Sequence, residues 1–264
     1  MDPNARYFDW NSLDLTALPF RVTKTNVFSA PQIDITTADP TRADGIIQLY
    51  RKIKHREITL EGLIRTDSAI AADTARDLLL KRLYYMRGKG ALTFAAAGMK
   101  RTFTGGIMNV IVPREGQDIS RMAYSFQMMT DNAYCTDDAG LIQFASPTVI
   151  SSPYASIATQ NDGTYLAAPV ITLQVTSVPS GSAISTFSIR NPQTNESLTF
   201  TTTVANGDTI TIDCDKLQTF RNSTRLDPTG TYPEWLPEGG LIEYSDSLAT
   251  RSISLTATYM RKWF

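Results

Sequence analysis

The second half of the chain, from Pro169 onward, alternates apolar and polar residues with a period of two. This alternation is typical of a strand that has one buried face and one solvated face. Turn-forming residues separate the runs, as at Asn206-Gly207-Asp208 and Gly239-Gly240. Several short strands at this spacing predict an antiparallel β-sandwich. The predicted strands are Val170–Thr176, Ile184–Arg190, Ser197–Val204, Thr209–Cys214, Gln218–Arg221, Leu241–Ser245 and Arg251–Met260.

The first half contains a segment with a helical pattern, residues 69–87. Small or apolar residues recur there at spacings of three and four, which predicts a helix with a single buried stripe. Asp67 or Ser68 can cap its start, and Gly88 fits a left-handed stop at its end. The predicted stripe consists of Ala72, Ala75, Leu79, Leu83 and Met86.

Strand patterns lie on both sides of this helix, so the first half is predicted to be α+β. Residues 1–30 show no regular pattern and are interpreted as an irregular arm. Gly62 predicts a bulge or a close backbone approach, and Gly105-Gly106 predicts a bend or a bulge. The predicted strands are Gln32–Thr36, Gly45–Arg51, Ile58–Arg65, Ala91–Ala95, Arg101–Pro113 and Ser120–Met129.

Residues 131–168 differ in composition from both halves. Asn, Asp, Ser, Gly and Pro dominate there, which predicts a linker. Leu141–Phe144 fits either a short strand within that linker or a part of the loop. We therefore predict three parts: a first domain at residues 1–135, a linker at 136–166 and a second domain at 167–264. The fold class as a whole is mainly β.

Composition agrees with this organisation and excludes some partners. The 264 residues are 42% apolar and 19% charged, which suits two domains with real cores. Lys and Arg total 25 against 26 acidic residues, so no global charge attracts nucleic acid or an anionic membrane.

The cellular compartment is predicted from the lack of a recognisable signal peptide and of a membrane-spanning segment in the sequence. The first residues have no apolar core of the kind found in a signal peptide. No run approaches the ~20 apolar residues that cross a bilayer. We therefore expect synthesis in a cytosol, with Cys135 and Cys214 reduced and buried.

Three motifs resemble a catalytic, a phosphate-binding and a metal-binding site, but none of them predicts such a site. His55, the single histidine, has no neighbouring acid and nucleophile in sequence. Gly88-Lys89-Gly90 follows the predicted helix, whereas a phosphate loop precedes its helix. Asp213-Cys214-Asp215 places two carboxylates on one strand face, but a metal ion would need further oxygen ligands. We predict no enzymatic activity, no cofactor and no metal site.

Five residues are candidates for contact with a partner or with the lumen of a channel. Arg51, Lys52, Lys54 and Arg56 lie in a basic turn, which fits electrostatic contact with nucleic acid or a partner. A solvated connection between two strands fits the same charges. Trp235, between two prolines, fits a sugar or protein contact. A plug at the end of its own core is the interpretation we prefer for this Trp.

Taken in order, these elements resemble the distal tail (Dit) proteins of long-tailed, non-contractile bacteriophages. The resemblance covers most of the chain and depends on the order of elements. In the first half it lies in Ile58–Arg65, the helix Ala69–Arg87 with its Gly-Lys-Gly stop, Leu92–Phe94, Thr102–Gly106 and Ser125-Phe126. In the second half it lies in Ala168–Ile171, Ile189–Asn191, Asn206–Asp213 and the corner Leu236–Ile242, where the family more often has Asn in place of Gly240.

This resemblance implies a tail-tube-like first domain that forms a six-fold ring, and a galectin-like second domain. Such a ring is a structural part of the virion, assembled in the host cytoplasm. It joins the tail tube protein to the tail-tip or baseplate hub protein, and DNA passes through its bore in transit. No membrane is involved.

Two other functions remain as alternatives. Residues 166–264 could form a carbohydrate- or receptor-binding module, with Trp235 in the site. A hydrolase is the least supported, because no nucleophile and base stand in a recognisable arrangement.

Overall fold

The computed structural model describes residues 7–38, 47–84, 89–113 and 121–264. The chain divides into two compact units, residues 1–138 with Phe264 and residues 139–263. The elements of the first unit are β1 (Phe8–Trp10), β2 (Leu13–Asp14), β3 (Phe20–Thr25), β4 (Ile33–Ala38), β5 (Ile47–Ile53), β6 (Glu57–Arg65), α1 (Ala69–Leu83), β7 (Lys89–Ala96), β8 (Met99–Ile111), β9 (Arg121–Thr130) and the start of β10 (Cys135–Ile150).

The main sheet of the first unit is antiparallel, with the strand order β2-β1-β7-β8-β9-β6-β3. Alternate residues of β6 and β9 are buried, as a strand with one covered face requires. β4 and β5 form a separate two-stranded hairpin. The predicted irregular arm at residues 1–30 is wrong in part, because β1 to β3 lie within it. These strands are two to six residues long, which is too short for their periodicity to be visible.

Helix α1 confirms the predicted buried stripe over the described residues. Ser68 is the cap, and its Oγ accepts a hydrogen bond of 3.2 Å from the Ala71 amide. The buried side chains are Ala72, Ala75, Leu79 and Leu83. The helix ends at Leu83, with the Tyr84 amide bonded to the Leu80 carbonyl, rather than at Arg87. Met86 and the predicted stop at Gly88 lie outside the described residues.

Glycines at two strand positions allow the backbones of the first unit to pack closely. A Cβ at Gly62 would lie 2.3 Å from Cζ of Tyr124 and 2.6 Å from the Arg21 carbonyl oxygen. At Gly105 it would lie 2.1 Å from the Met129 carbonyl oxygen. The close approach predicted at Gly62 is confirmed, and so is an irregularity after Gly105-Gly106, where the register of β8 shifts between Ile107 and Asn109.

The predicted linker at residues 136–166 is wrong, because strands occupy most of it. β10 continues through residue 150, and the next strand, β11 (Tyr154–Thr159), pairs with six residues of a strand near the end of the chain. Both strands expose many of their side chains, which is why their composition is polar enough to suggest a loop. Pairing with strands that are distant in sequence fixes them instead.

The second unit is a sandwich of two antiparallel sheets, as the alternation predicts. One layer has the order β20-β12-β15-β16-β17, and the other has β11-β19-β13-β14-β18. Residues from both layers form one apolar core, in which the rings of Phe187 and Phe200 stack with centroids 4.5 Å apart. The remaining strands are β12 (Val170–Ser177), β13 (Ile184–Asn191), β14 (Glu196–Val204), β15 (Thr209–Asp213), β16 (Gln218–Arg221), β17 (Thr224–Leu226), β18 (Thr229–Gly230), β19 (Gly240–Asp246) and β20 (Ser252–Trp263).

Both cysteines are free and buried, which confirms their predicted state. Burial raises the pKa of the Cys135 thiol to about 11 and also raises that of Cys214. Both thiols are therefore protonated and unreactive at neutral pH. Among the described residues, no helix is both long enough and apolar enough to span a bilayer.

Candidate interaction surfaces

The four basic residues predicted in one turn, Arg51, Lys52, Lys54 and Arg56, lie in different environments. Arg51 and Lys52 lie in β5, opposite Ile35 and Asp34 of β4, and their side chains lie outside the described part of the chain. Nζ of Lys54 is 3.3 Å from a carboxylate oxygen of Asp34, and both side chains are well exposed. An ion pair of this kind contributes little to stability, so Lys54 remains available to a partner.

Arg56 is buried, which corrects its prediction as a partner or lumen contact. Its Nη2 donates a hydrogen bond of 2.7 Å to the Val27 carbonyl and a second bond to the Ser29 carbonyl. The guanidinium also lies over the Phe103 ring, 4.9 Å from the centroid. Burial lowers the pKa of Arg56. The side chain fixes the loop after β3 to the sheet, and a partner could reach it only if that loop opened.

A polar cavity of about 530 Å³ lies beside Arg56 in the first unit. His55, which is exposed, and Lys54 stand on its rim next to Glu57, so its charges are mixed. An acid, Glu57, and a hydroxyl, Ser29, line the same cavity as His55, but among the described residues no hydrogen bond joins either of them to the imidazole. The cavity therefore offers hydrogen bonds rather than a catalytic triad. Its lining consists of Asn26, Ser29, Ala30, Pro31, Gln32, Lys54, His55, Arg56, Glu57 and Thr59.

Trp235 is fully buried in the second unit, which corrects its prediction as an exposed binding residue. Its Nε1 donates a hydrogen bond of 2.9 Å to the Leu241 carbonyl, so the indole has no free polar group. Its ring meets that of Phe144 edge to face, with centroids 5.3 Å apart. The backbone of Trp235 also exchanges two hydrogen bonds with Ala167. This residue closes its own core, in agreement with the interpretation we preferred.

The carboxylates around Cys214 are held by lysines. Asp213 accepts hydrogen bonds of 2.9 Å from both the amide and the Nζ of Lys216. Asp215 accepts one of 2.6 Å from Nζ of Lys262. Over the described part of the chain, no group of three or more His, Cys, Asp or Glu side chains could hold a metal ion.

One polar network on the second unit was missed by the sequence prediction. The Tyr154 hydroxyl donates a hydrogen bond of 2.8 Å to one carboxylate oxygen of Glu243, and Nη1 of Arg190 lies 3.3 Å from the other. Nη2 of Arg190 donates a bond of 2.6 Å to Oδ1 of Asn195. The hydrogen bond to Glu243 raises the pKa of Tyr154. These residues come from three strands and a turn, and no motif in the sequence connects them.

Comparison with known proteins identifies the fold through structure rather than sequence. No protein-family model matches the sequence, and no curated protein is significantly similar to it. The crystal structure of SPP1 Dit, described as a paradigm of the hub adsorption apparatus in phages that infect Gram-positive bacteria, matches 99% of this chain and 100% of its own. The TM-score is 0.67 and the identity is 12%.

Two further solved structures are similar at a lower level. The phage P2 baseplate in its activated conformation with Ca covers 97% of this chain and 98% of its own, at 8% identity and a TM-score of 0.46. The phage p2 baseplate in its activated conformation with Sr covers 98% of this chain and 98% of its own, at 8% identity and a TM-score of 0.46. At the level of the fold, the match to SPP1 Dit confirms the resemblance to distal tail proteins and the mainly β fold class.

Proposed function

We propose that this protein is a structural hub of a phage tail. In this proposal it forms a six-fold ring at the distal end of the tail tube, binds the tail tube protein on one side and a tail-tip or baseplate protein on the other, and leaves a channel for DNA. The observation that carries the proposal is the likeness to SPP1 Dit over 99% of the chain, which spans both units. In this proposal the protein is a structural component of the virion rather than an enzyme.

A closed ring needs two different faces on each subunit that complement each other. The free edge of β3 supports one of them, because among the described residues β3 pairs only with β6. An unpaired edge invites pairing with another chain. Beside this edge lies a cavity of about 270 Å³, lined by Phe8, Val22, Thr23, Lys24, Thr25 and Phe28. Phe28 leaves 62% of its surface exposed, although a single apolar side chain on a surface is ordinary by itself.

The β4–β5 hairpin supports a second contact of the ring. Within the described part of the chain it pairs with no other strand. An isolated two-stranded hairpin is marginally stable in water, so packing against a partner would stabilise it. It carries Arg51 and Lys52, and Lys54 follows directly. We propose these three residues, without Arg56, as the contacts with a neighbouring protein or with the channel.

The lectin alternative is not proposed in the form centred on Trp235. That ring has no exposed surface on which a sugar could stack. The likeness of the second unit to galectins stays a prediction, and a fold by itself confers no ligand.

The ring is tested by the mass of the purified protein, from light scattering or native mass spectrometry, with negative-stain images of any large species. We expect a species of six chains with a central hole. Phe28→Asp should yield folded single chains, because it places a charge at the proposed interface. Leu141→Asp, at a residue 61% exposed in the second unit, is the matched control and should leave the ring intact.

Some rings close only on their partners. The measurement is therefore repeated after co-expression with the tail tube and tail-tip proteins of the same phage. A chain that remains single in both experiments contradicts the proposal.

A further inference from the structure

One face of the second unit brings polar side chains from four neighbouring strands into rows. Ser156 of β11 lies opposite Glu243 of β19, which lies opposite Arg190 of β13. The next row runs Tyr154, Ser245, Ser188 and Thr199 across the same strands and β14. The residues between the two rows on β19 and β13, Tyr244 and Ile189, are buried in the sandwich. Because side chains alternate across a strand, both rows point away from the core.

A shallow depression of about 260 Å³ lies over the second row. Hydroxyl groups dominate its rim, because five of its seven lining residues are Ser or Thr. The depression therefore offers several groups that can each donate and accept a hydrogen bond. Its lining consists of Thr186, Phe187, Ser188, Thr199, Ser245, Asp246 and Ser247.

The Tyr154–Glu243–Arg190 network borders this depression and is already oriented. One carboxylate oxygen of Glu243 accepts a hydrogen bond from the Tyr154 hydroxyl, and the other accepts one from the Arg190 guanidinium. Each carboxylate oxygen has a further lone pair, and the guanidinium has further N–H groups. The Tyr154 side chain is tethered at its hydroxyl, while 55% of the residue surface stays exposed. A ligand would therefore lose little free energy in ordering these side chains.

We propose that this face binds a neutral saccharide. A pyranose ring combines an apolar C–H face with several hydroxyls. The ring of Tyr154 offers an aromatic surface for the first, and its phenol is held in place. Two neighbouring sugar hydroxyls can bind this pair together, because one can donate a hydrogen bond to the Glu243 carboxylate while the other accepts one from the Arg190 guanidinium. The charges of these two groups offset each other, which favours an uncharged sugar over an anionic or a cationic ligand.

This inference does not depend on the hub proposal, since it concerns the outer face of one sandwich. It also differs from the lectin site predicted from the sequence, which was centred on Trp235. The residues that carry it lie on strands rather than on loops, so their spacing is fixed by the sheet register.

The test uses the full chain and three soluble probes, the methyl glycosides of glucose, galactose and N-acetylglucosamine, in saturation-transfer NMR. We expect at least one glycoside to bind in the millimolar range. Tyr154→Ala removes the aromatic surface and Glu243→Gln removes the charged acceptor. Each should raise the dissociation constant about tenfold. Tyr154→Phe keeps the ring and should retain most of the binding.

Leu141→Ala is the matched control, because it removes an exposed apolar side chain elsewhere on the same unit. Its affinity should equal that of the parent, and circular dichroism should show that every variant is folded at the temperature of the binding experiment. The proposal is overturned if none of the glycosides shows transfer, or if either Tyr154→Ala or Glu243→Gln binds as tightly as the parent.

Discussion

Replacing Arg56 with Met tests whether this side chain is part of the fold or part of an interface. The structure places its guanidinium between the Val27 and Ser29 carbonyls and over the Phe103 ring. Met keeps much of the apolar stem but removes both hydrogen bonds and the cation. The two carbonyls then lose their donor, so the variant should be substantially less stable than the parent.

The loss of stability follows from these contacts. Hydrogen bonds to a charged group contribute about 1.5–3 kcal/mol each. A desolvated cation over an aromatic ring adds about 2 kcal/mol. Removing the charge also relieves the cost of burying it, which offsets part of this sum. We expect a net loss of about 3 kcal/mol, which lowers the Tm of the first unit by roughly 10 °C.

Lys54→Met is the matched control for Arg56→Met. It stands two positions away, carries the same charge and forms an exposed ion pair with Asp34. Such a pair contributes at most about 1 kcal/mol, so this variant should unfold close to the parent temperature.

Thermal and urea unfolding, followed by circular dichroism, measure both variants. Hydrogen exchange should show the extra opening of Arg56→Met around residues 27–29. If both variants unfold at the same temperature, Arg56 does not fix the loop and our account of it is wrong.

Three further predictions concern single positions. Trp235→Ala should cost about 3–5 kcal/mol in the free energy of unfolding, measured in urea, because it empties a buried site; Leu236→Ala, at an exposed neighbour, should stay within about 0.5 kcal/mol. Gly62→Ala should lower the urea midpoint by the equivalent of about 1–3 kcal/mol, since its Cβ would meet Tyr124, whereas Gly106→Ala adds a Cβ in open space and should be neutral. Burial raises the pKa of Glu234, so the folded state disfavours its charge and loses stability as the pH rises through the unfolded and then the folded pKa. Glu234→Gln should therefore unfold at a higher temperature than the parent at neutral pH, and the difference should vanish below about pH 4, where the carboxyl is protonated in both states.

Periodicity identified the elements whose burial alternates strongly. In β6 and β9 nearly every second residue is buried, and the corresponding predictions, Ile58–Arg65 and Ser120–Met129, agree with the structure within a few residues. The helix was visible for the same reason, because its buried residues form one stripe. A local pattern suffices where one face of an element is covered and the other is wet.

Elements whose partners are distant in sequence were missed. β11 buries only one of its six residues and depends on pairing with β19, about eighty to ninety residues later, which no local pattern records. Arg56 resembled its basic neighbours in sequence, and only the loop folded over it sets it apart. The network of Tyr154, Glu243 and Arg190 exists only because three strands place these residues side by side.

The position of β11 also decides how the chain can be dissected. Residue 167 is where the sequence predicts the start of the second domain. A fragment that starts there would lose the buried side chains of Phe144, Ile150 and Ile157. It would also leave an edge of β19 without its partner strand. Exposed edges and uncovered apolar surface lead to aggregation when such fragments are expressed. A fragment that starts at residue 139 keeps these core side chains and the β11–β19 pairing. We expect this fragment, unlike the one that starts at residue 167, to remain dispersed in solution.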